Sequence, residues 1–186
     1  MGVRDGGQHT FSRPQRFRGA AGHPVEHSAE GSAGDLAVGE LDFASFCTGQ
    51  TGIDDWVHER ASSCTAAGTA VLYYSLADGG KLAGLYTLSA YSVERQSVKG
   101  GWLQRNTPRQ IPVVLLGILG VDQDFQGQGL GWRLLQDALR RALSVSEHLG
   151  ARALLVEPYN ETARSFYEHF GFQVVPGSST YYARLH

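Results

Sequence analysis

The sequence predicts a domain of the α/β or α+β class, a mixed and mostly antiparallel sheet flanked by helices, and three observations carry that prediction. Residues 113–121 form a run of Val, Leu, Ile and Gly, the composition of a strand buried on both faces. A glycine-spaced turn and a stretch of helical periodicity follow at 126–149, then a second apolar run at 151–157, so a right-handed crossover joins two parallel strands. Upstream, residues 71–76 and 81–90 read as strands on either side of Asp78-Gly79-Gly80, a tight hairpin turn.

The 186 residues suffice for one well-buried core. Residues 1–39 are rich in Gly, Ser, Ala and His, contain Pro14 and Pro24, and show no sustained periodicity. We expect a disordered leader there, or a start codon placed too early, ahead of a single domain over 40–186. Phe43, Phe46, Ile53, Trp56 and Val57 predict two short helical pieces broken at 49–52, with Asp54 and Asp55 near the start of the second, where carboxylates suit the dipole. Residues 91–110 are polar and irregular, a loop long enough for a functional role, and Pro108 and Pro112 bracket the entry to the central strand.

Leu130, Leu134, Leu135, Ala138, Leu139, Ala142 and Leu143 set the apolar side of the next helix, which Gly150 ends. Asn160 is placed to cap a helix over 161–170 whose apolar side is Ala163, Phe166, Tyr167 and Phe170, with Gly171 as its stop. Residues 172–175 and 180–185 read as a closing hairpin.

Charge is near balance, 16 basic against 18 acidic side chains, and excludes no class of partner. Cys47 and Cys64 have no Cys or His beside them at ligand spacing, which argues for a reducing compartment and against structural zinc; the seven histidines are scattered and define no metal site. No run reaches the length of a membrane span and the N-terminus has no apolar signal segment, so the expected location is the cytoplasm, with no membrane partner.

Gln126-Gly127-Gln128-Gly129-Leu130-Gly131 leads into the long helix. The first amides of a helix lack intrahelical acceptors and lie at the positive end of its dipole, and glycines at 127, 129 and 131 let a phosphate approach the backbone. The Lys-Ser/Thr pair of a nucleoside triphosphate loop is missing, as is an acid placed for a ribose. On these six residues alone, an anion site and a plain packing turn are both open.

Gln126, Gly129 and Gly131 match the Gln/Arg-x-x-Gly-x-Gly/Ala signature of the GNAT acetyltransferases. Asn160, Ala163, Phe166, Tyr167, Gly171 and Phe172 match that family's Asn-x-x-Ala-x-x-Phe-Tyr-x-x-x-Gly-Phe, in the right order and one helix and one strand downstream. The chain therefore resembles the GNAT acyl-CoA N-acyltransferases. The resemblance implies acetyl coenzyme A as cofactor, its pyrophosphate on Gln126, Gly127, Gln128, Gly129, Leu130 and Gly131, and its pantetheine arm along Leu119, Gly120 and Val121, whose backbone supplies the oxyanion donor. Asn160 and Phe166 would flank the arm, and Tyr167 would give the departing thiolate its proton. Periodicity alone makes Tyr167 a core aromatic, and Asn160 serves equally as a helix cap, so both residues carry two readings. Glu157 and His58 are outside candidates for a base, each equally a surface side chain.

A narrower likeness runs over 111–172, joined by Ile53-Asp54-Asp55-Trp56-Val57, to the acetyltransferase toxins of toxin–antitoxin pairs. It implies acetylation of the α-amino group of aminoacyl-tRNA, arrest of translation, a ribbon-helix-helix antitoxin as partner, and a homodimer. Trp102, Tyr181 and Tyr182 are the aromatics available to a dimer surface, or equally to the core. Arg105, Arg109, Arg133 and Arg164 are the candidates for the phosphates of the acceptor stem, with Lys99, Arg140 and Arg141 as further members of a basic face.

Three departures weaken the narrower likeness. Ile118 stands where those toxins carry a basic residue, Cys47-Thr48-Gly49 replaces their Cys-Gly pair, and Gly120 replaces an alanine, a change expected to loosen the strand. The toxins are strongly basic, whereas residues 91–186 here carry ten basic and eight acidic side chains and residues 1–90 carry six and ten. Two other functions therefore stay open: acetyl transfer to a small amine, a peptide or a protein lysine, and coenzyme binding without turnover.

Overall fold

The predicted hairpin and crossover make up the centre of the sheet. The computed structural model describes residues 40–98 and 101–186 together with two short strands before them. The elements are β1 (Phe17–Arg18), β2 (Pro24–Ser28), α1 (Thr51–Ala66), β3 (Val71–Leu76), β4 (Leu82–Glu94), β5 (Gln110–Val121), α2 (Leu130–Leu149), β6 (Ala153–Val156), α3 (Glu161–His169), β7 (Gln173–Val174) and β8 (Tyr181–Arg184). These strands form one sheet in the order β1-β2-β3-β4-β5-β6-β8-β7. Every pairing is antiparallel except β5 with β6, as the crossover through α2 requires.

The structure departs from the sequence reading in three places. β1 and β2 lie in the segment expected to hold no strand; β2 pairs with the edge of β3 from Glu26↔Leu76 to Ser28↔Tyr74, a backbone template that local composition does not reveal. The remainder of 1–39 lies outside the described residues, as does Lys99. Residues 41–50 form no helix: α1 begins at Thr51 and runs through Gly52, because the Asp54 carboxylate takes the amides of Thr48 (2.7 Å) and Gly49 (3.2 Å). Finally, β4 and β5 extend into the expected loop, which shrinks to 95–109. Pro112 sits inside β5, where its carbonyl accepts from the Arg152 amide (3.0 Å). Its ring nitrogen therefore faces the β6 side, on which pairing starts only at Val114, and no ladder bond is lost.

Alternation along the central strands sends side chains to two cores. Val114 and Leu116 of β5, Leu154 and Val156 of β6 and Tyr181 of β8 pack beneath α2 and α3. Ile111, Val113, Ala153, Leu155 and Tyr182 face the other way, under Val98 and Leu103 of the 95–109 loop. α1 covers the same side further along, with Phe46, Val57 and Ala61 against Leu72, Tyr74, Leu82 and Leu85. Tyr181 and Tyr182 are thus core residues, and the aromatic argument for a dimer surface falls on both.

One irregularity shapes the middle of this sheet. Between the pairs Tyr86↔Leu119 and Leu88↔Leu116, β5 carries one residue more than β4. The Thr87 hydroxyl fills the gap by accepting from the Ile118 amide (3.1 Å), and a Cβ on Gly117 would lie 2.9 Å from that oxygen, so glycine is required there. β5 pairs with β6 only from Val114↔Leu154 to Leu116↔Val156. Beyond the bulge the two strands diverge into a wedge.

α2 is tied to the sheet by a polar group under its exposed face. Tyr86 donates to Asp137 (2.5 Å), Arg141 donates to the same carboxylate (2.8 Å), Arg140 joins them, and the Arg141 guanidinium lies 4.1 Å from the centre of Tyr73. Burial pushes the Asp137 carboxyl up, but the hydrogen bonds from Arg141, Tyr86 and Arg140 outweigh it and hold it below the usual carboxylate range. Asp137→Ala is expected to lower unfolding free energy by about 2–4 kcal/mol, and Tyr86→Phe by about 1 kcal/mol, in urea denaturation. Because the folded carboxyl titrates below its unfolded value near roughly 3.9, its contribution is complete above that pH and is lost as pH falls through the folded value. The stability gap between the parent and Asp137→Asn should therefore close on acidification below pH about 4.

Candidate active site

The mouth of the wedge is closed by the turn between β5 and α2. Asp122, buried, anchors it: its carboxylate accepts from the amides of Cys47 (3.0 Å) and Asp124 (3.1 Å) and meets Lys81 at 3.3 Å. The Gln126 side chain donates to the carbonyls of Thr48 and Val121, both at 2.9 Å, and Gln128 donates to the Asp124 carbonyl (3.0 Å). Gly127 and Gly129 have φ of 71° and 78°, the left-handed region that favours glycine. A Cβ on either would meet no atom within 4 Å, so the backbone stands open to a ligand. The first intrahelical bond of this turn is Arg133 N–H to the Gly129 carbonyl (3.2 Å), which leaves the earlier amides of α2 free of helical acceptors. These features fit a diphosphate. Gln126 acts as a staple of the turn through its side chain, while Leu130 is buried and offers only its backbone.

Inside the wedge, strand geometry decides which amides are available. The Asp122 amide donates to the Ala83 carbonyl (2.9 Å) on the β4 side. Successive residues of a strand point their amides to alternate sides, so those of Leu119 and Val121 face away from β4, into the gap that β6 has left. Gly120 lies between them with its α-carbon against the segment before α1: a Cβ would come within 3.1 Å of Thr48, 3.3 Å of Ile53 and 3.4 Å of Phe46. Here glycine permits a tight contact, and the expectation that it loosens the strand is corrected.

Tyr167 of α3 belongs to the core on the α2 side, against which Leu119 and Val121 also pack. Its ring is buried against Phe166 and Phe172, with centroids 5.3 Å away in both cases. Burial alone drives its phenol well above the ordinary value, and the hydroxyl has no hydrogen-bond partner among the described residues. Phe166 lies 3.8 Å from the place a Cβ of Gly131 would occupy, between the start of α2 and α3. Asn160 caps α3 by accepting from the Ala163 amide (2.8 Å), and its other atom donates to Gln50 (2.9 Å).

On the opposite side of the sheet the wedge opens into a cleft of about 340 Å³. Leu116, Gly117, Leu155 and Glu157 form its floor where β5 and β6 part; Tyr91, Ser97 and Leu103 form one wall and Val175 and Thr180 another. The 95–109 loop therefore stands beside the wedge. His58 takes no part in the cleft lining and is bound at Nε2 to the Phe46 carbonyl (2.8 Å). The four arginines singled out from sequence are split: Arg105 and Arg109 belong to the loop, whereas Arg133 on α2 and Arg164 on α3 belong to the other face, Arg164 paired with Glu161 at 2.8 Å.

Sequence reading missed the strap formed by residues 46–50. Asp54 holds it through Thr48 and Gly49, Asp122 through Cys47, Gln123 through its amide to the Cys47 carbonyl (2.8 Å), and Asn160 through Gln50. Asp54 was visible as an acid near a helix start, but partners 75 residues away left no local signal.

The arrangement presents an open glycine turn at a helix start on one side of the sheet and a cleft on the other. The acetyltransferase (GNAT) domain description matches residues 67–174, and the chain belongs to that acetyltransferase family. It is 37% identical over 135 residues to a tRNA-acetylating toxin of Mycobacterium tuberculosis, a match covering 73% of this chain and 80% of the relative. A probable toxin TacT of Sinorhizobium fredii is 26% identical over 145 residues, with 73% and 80% covered. Among solved structures, a tyrosine-to-phenylalanine variant of KacT superposes with a TM-score of 0.74 at 25% identity, covering 88% of this chain and 95% of that one. AtaT complexed with acetyl-methionyl-tRNAfMet gives 0.72 at 24% identity, with 87% and 94% covered. Among the described residues, no helix is long and apolar enough to cross a membrane.

The Asp54 carboxyl lies below the usual range: burial raises it, and the hydrogen bonds from Thr48, Cys47 and Gly49 together more than offset that. Asp54→Ala should cost about 1–2 kcal/mol of stability. Amide hydrogen exchange checks the mechanism, with exchange at Thr48 and Gly49 accelerated while the middle of α2 keeps its protection.

Proposed function

We propose that this protein acetylates the α-amino group of aminoacyl-tRNA and thereby blocks translation, acting in the cytoplasm. The observation that carries the reading is the two-sided wedge, with a phosphate-sized turn on the α2 side and, on the other, a cleft walled by an arginine-bearing loop. The 37% identity to a tRNA-acetylating toxin supports the choice of acceptor.

Bound at the 126–131 turn, acetyl coenzyme A supplies a thioester carbonyl as the electrophile. The acceptor nitrogen enters from the cleft and bonds to the carbonyl carbon; the carbon–sulfur bond breaks and the amine loses one proton. The Leu119 amide faces the wedge and donates to the carbonyl oxygen as negative charge builds on it. Tyr167 passes its hydroxyl proton to the leaving sulfur. Its raised pKa keeps the phenol protonated at neutral pH, the state a proton donor needs. An α-amine titrates near roughly 8, so a useful fraction is neutral without a dedicated base. Glu157, the carboxylate among the residues lining the cleft, takes the proton released by the amine.

In this proposal residues 40–186 act as one catalytic domain, Asn160 and Phe166 flank the carrier arm, Arg105 and Arg109 meet the RNA, and Arg133 and Arg164 lie nearer the coenzyme. A ribbon-helix-helix antitoxin would restrain the activity; AtaT has been solved bound to the C-terminus of its antitoxin AtaR. A homodimer would set a second copy of the loop beside the acceptor, although no surface aromatic among Tyr181 and Tyr182 now argues for it.

Tyr167→Phe keeps the ring and its packing, so coenzyme affinity should hold while kcat falls about 10²-fold or more. A rate within a factor of about two of the parent would return Tyr167 to a purely structural role. Incubation with radiolabelled acetyl coenzyme A should place label in charged tRNA and leave deacylated tRNA unlabelled. Label appearing only in small amines or protein lysines would replace the tRNA reading.

A further inference from the structure

Positive charge is distributed unevenly between the two faces of the sheet. Lys81 is paired with Asp122 and Asp124, Arg140 and Arg141 with Asp137, and Arg164 with Glu161. By contrast Arg95, Arg105, Arg109, Arg152 and Arg184 form no ion pair among the described residues. All five belong to the 95–109 loop or to the ends of β6 and β8 beneath it; Arg60 on α1 likewise forms no ion pair among the described residues.

Four of these guanidinium groups are organised around the turn at 101–105. On one side, Arg95 and Arg105 line a polar hollow of about 450 Å³ together with Gly101 and Gln104. On the other, Arg152 and Arg184 both lie over the indole of Trp102, with guanidinium carbons 4.6 and 4.8 Å from the ring centre. Trp102 is itself stacked on Tyr182 at 6.2 Å, so the two cations rest on an aromatic platform fixed to the core. The Arg152 Nε is buried without a hydrogen-bond partner, and its terminal nitrogen reaches the Trp102 carbonyl only at 3.4 Å. Two cations on one ring repel each other, and no ion pair among the described residues offsets them. Between the two pairs, Leu103 of the same turn lines the cleft that leads to the wedge.

We propose that the 101–105 turn with Arg95, Arg105, Arg152 and Arg184 is a binding surface for the phosphate backbone of an RNA helix, seated so that the end of that helix reaches the cleft. The inference deepens the tRNA reading and rests on it for the identity of the RNA. It also moves the phosphate contacts away from Arg133 and Arg164, which lie on the opposite face. Backbone contacts require clustered cations that are not neutralised by ion pairs, and an aromatic platform holds Arg152 and Arg184 at fixed positions. Overall charge near neutrality is compatible with this, because several acids are engaged elsewhere by Lys81, Arg140, Arg141 and Arg164, and Glu94 beside Arg95 accepts from Gln96 and Gln110.

The test separates binding from turnover. A fluorescent, uncharged acceptor-arm minihelix is titrated by anisotropy against the full chain at several salt concentrations. Three proteins are compared: the parent, Arg105→Gln/Arg184→Gln, and the charge-matched control Arg60→Gln/Arg140→Gln. Arg105 and Arg184 are exposed, so the double variant is expected to keep the parent's melting temperature. Arg95→Gln alone serves as a second probe should that variant melt early. The expected result is a dissociation constant raised about tenfold or more in the Arg105/Arg184 double variant and a salt slope shallower by about 2, with the control unchanged. Equal loss in the control, no binding by the parent, or competition by an acidic peptide as strong as that by unlabelled RNA at equal charge would each overturn the proposal, the last in favour of an acidic protein partner. Acetyl transfer to charged tRNA is measured separately: if the minihelix binds as expected and no charged tRNA is acetylated, the surface stands and the proposed reaction falls.

Discussion

The extra residue that β5 carries opposite Thr87 is the constraint on which the rest of the site depends. It bends the central strand where pairing with β6 stops, so two strands that began as a parallel pair part company while both remain packed. The parting leaves the amides of Leu119 and Val121 on the side that β6 has vacated, and the chain after β6 turns into α3, whose Tyr167 packs in the core beneath. Separate cores on the two faces tolerate the opening, since each is closed by its own cover: α2 and α3 on one side, α1 and the 95–109 loop on the other.

Acidic residues do most of the positioning. Asp122, Asp54 and Asp137 each gather amides or cations from distant parts of the chain, and none of the three lines the cleft. Their charge is used internally, to fix the turn, the strap and α2. On the loop side the arginines are left without such partners. A chain with nearly equal numbers of acids and bases can thus present one face with a surplus of positive charge.

Periodicity and turn chemistry were enough to find β3, β4, β5, β6, α2, α3 and the closing hairpin, because each of those elements announces its own buried face. Gly150 and Asn160 ended and began their helices as local rules require, Gly150 with φ of 69° and Asn160 through the Ala163 amide. The site turn and Tyr167 were legible as a motif, and the geometry of the turn matches what an anion needs. What could not be read was whatever depends on contacts far apart in the chain. The strap of 46–50 has no hydrophobic period and owes its shape to Asp122 and Gln126. Gly120 looked like a weak point in a strand until Phe46, Thr48 and Ile53 were found packed on it. Trp102, Tyr181 and Tyr182 carry no sign of which face they serve; the register of β8 against β6 settles that for both tyrosines.

The parallel seam between β5 and β6 is three residue pairs long, and with the bond from the Arg152 amide to the Pro112 carbonyl it joins the five strands before α2 to the three after it. Side-chain packing on both faces, beneath α2 and under the 95–109 loop, carries the remainder of that connection. The two units therefore meet along a short backbone seam that is closed by a core on either side. A ligand lying in the wedge touches both units at once. Its binding energy adds to that join, so occupancy should stabilise the folded state against unfolding.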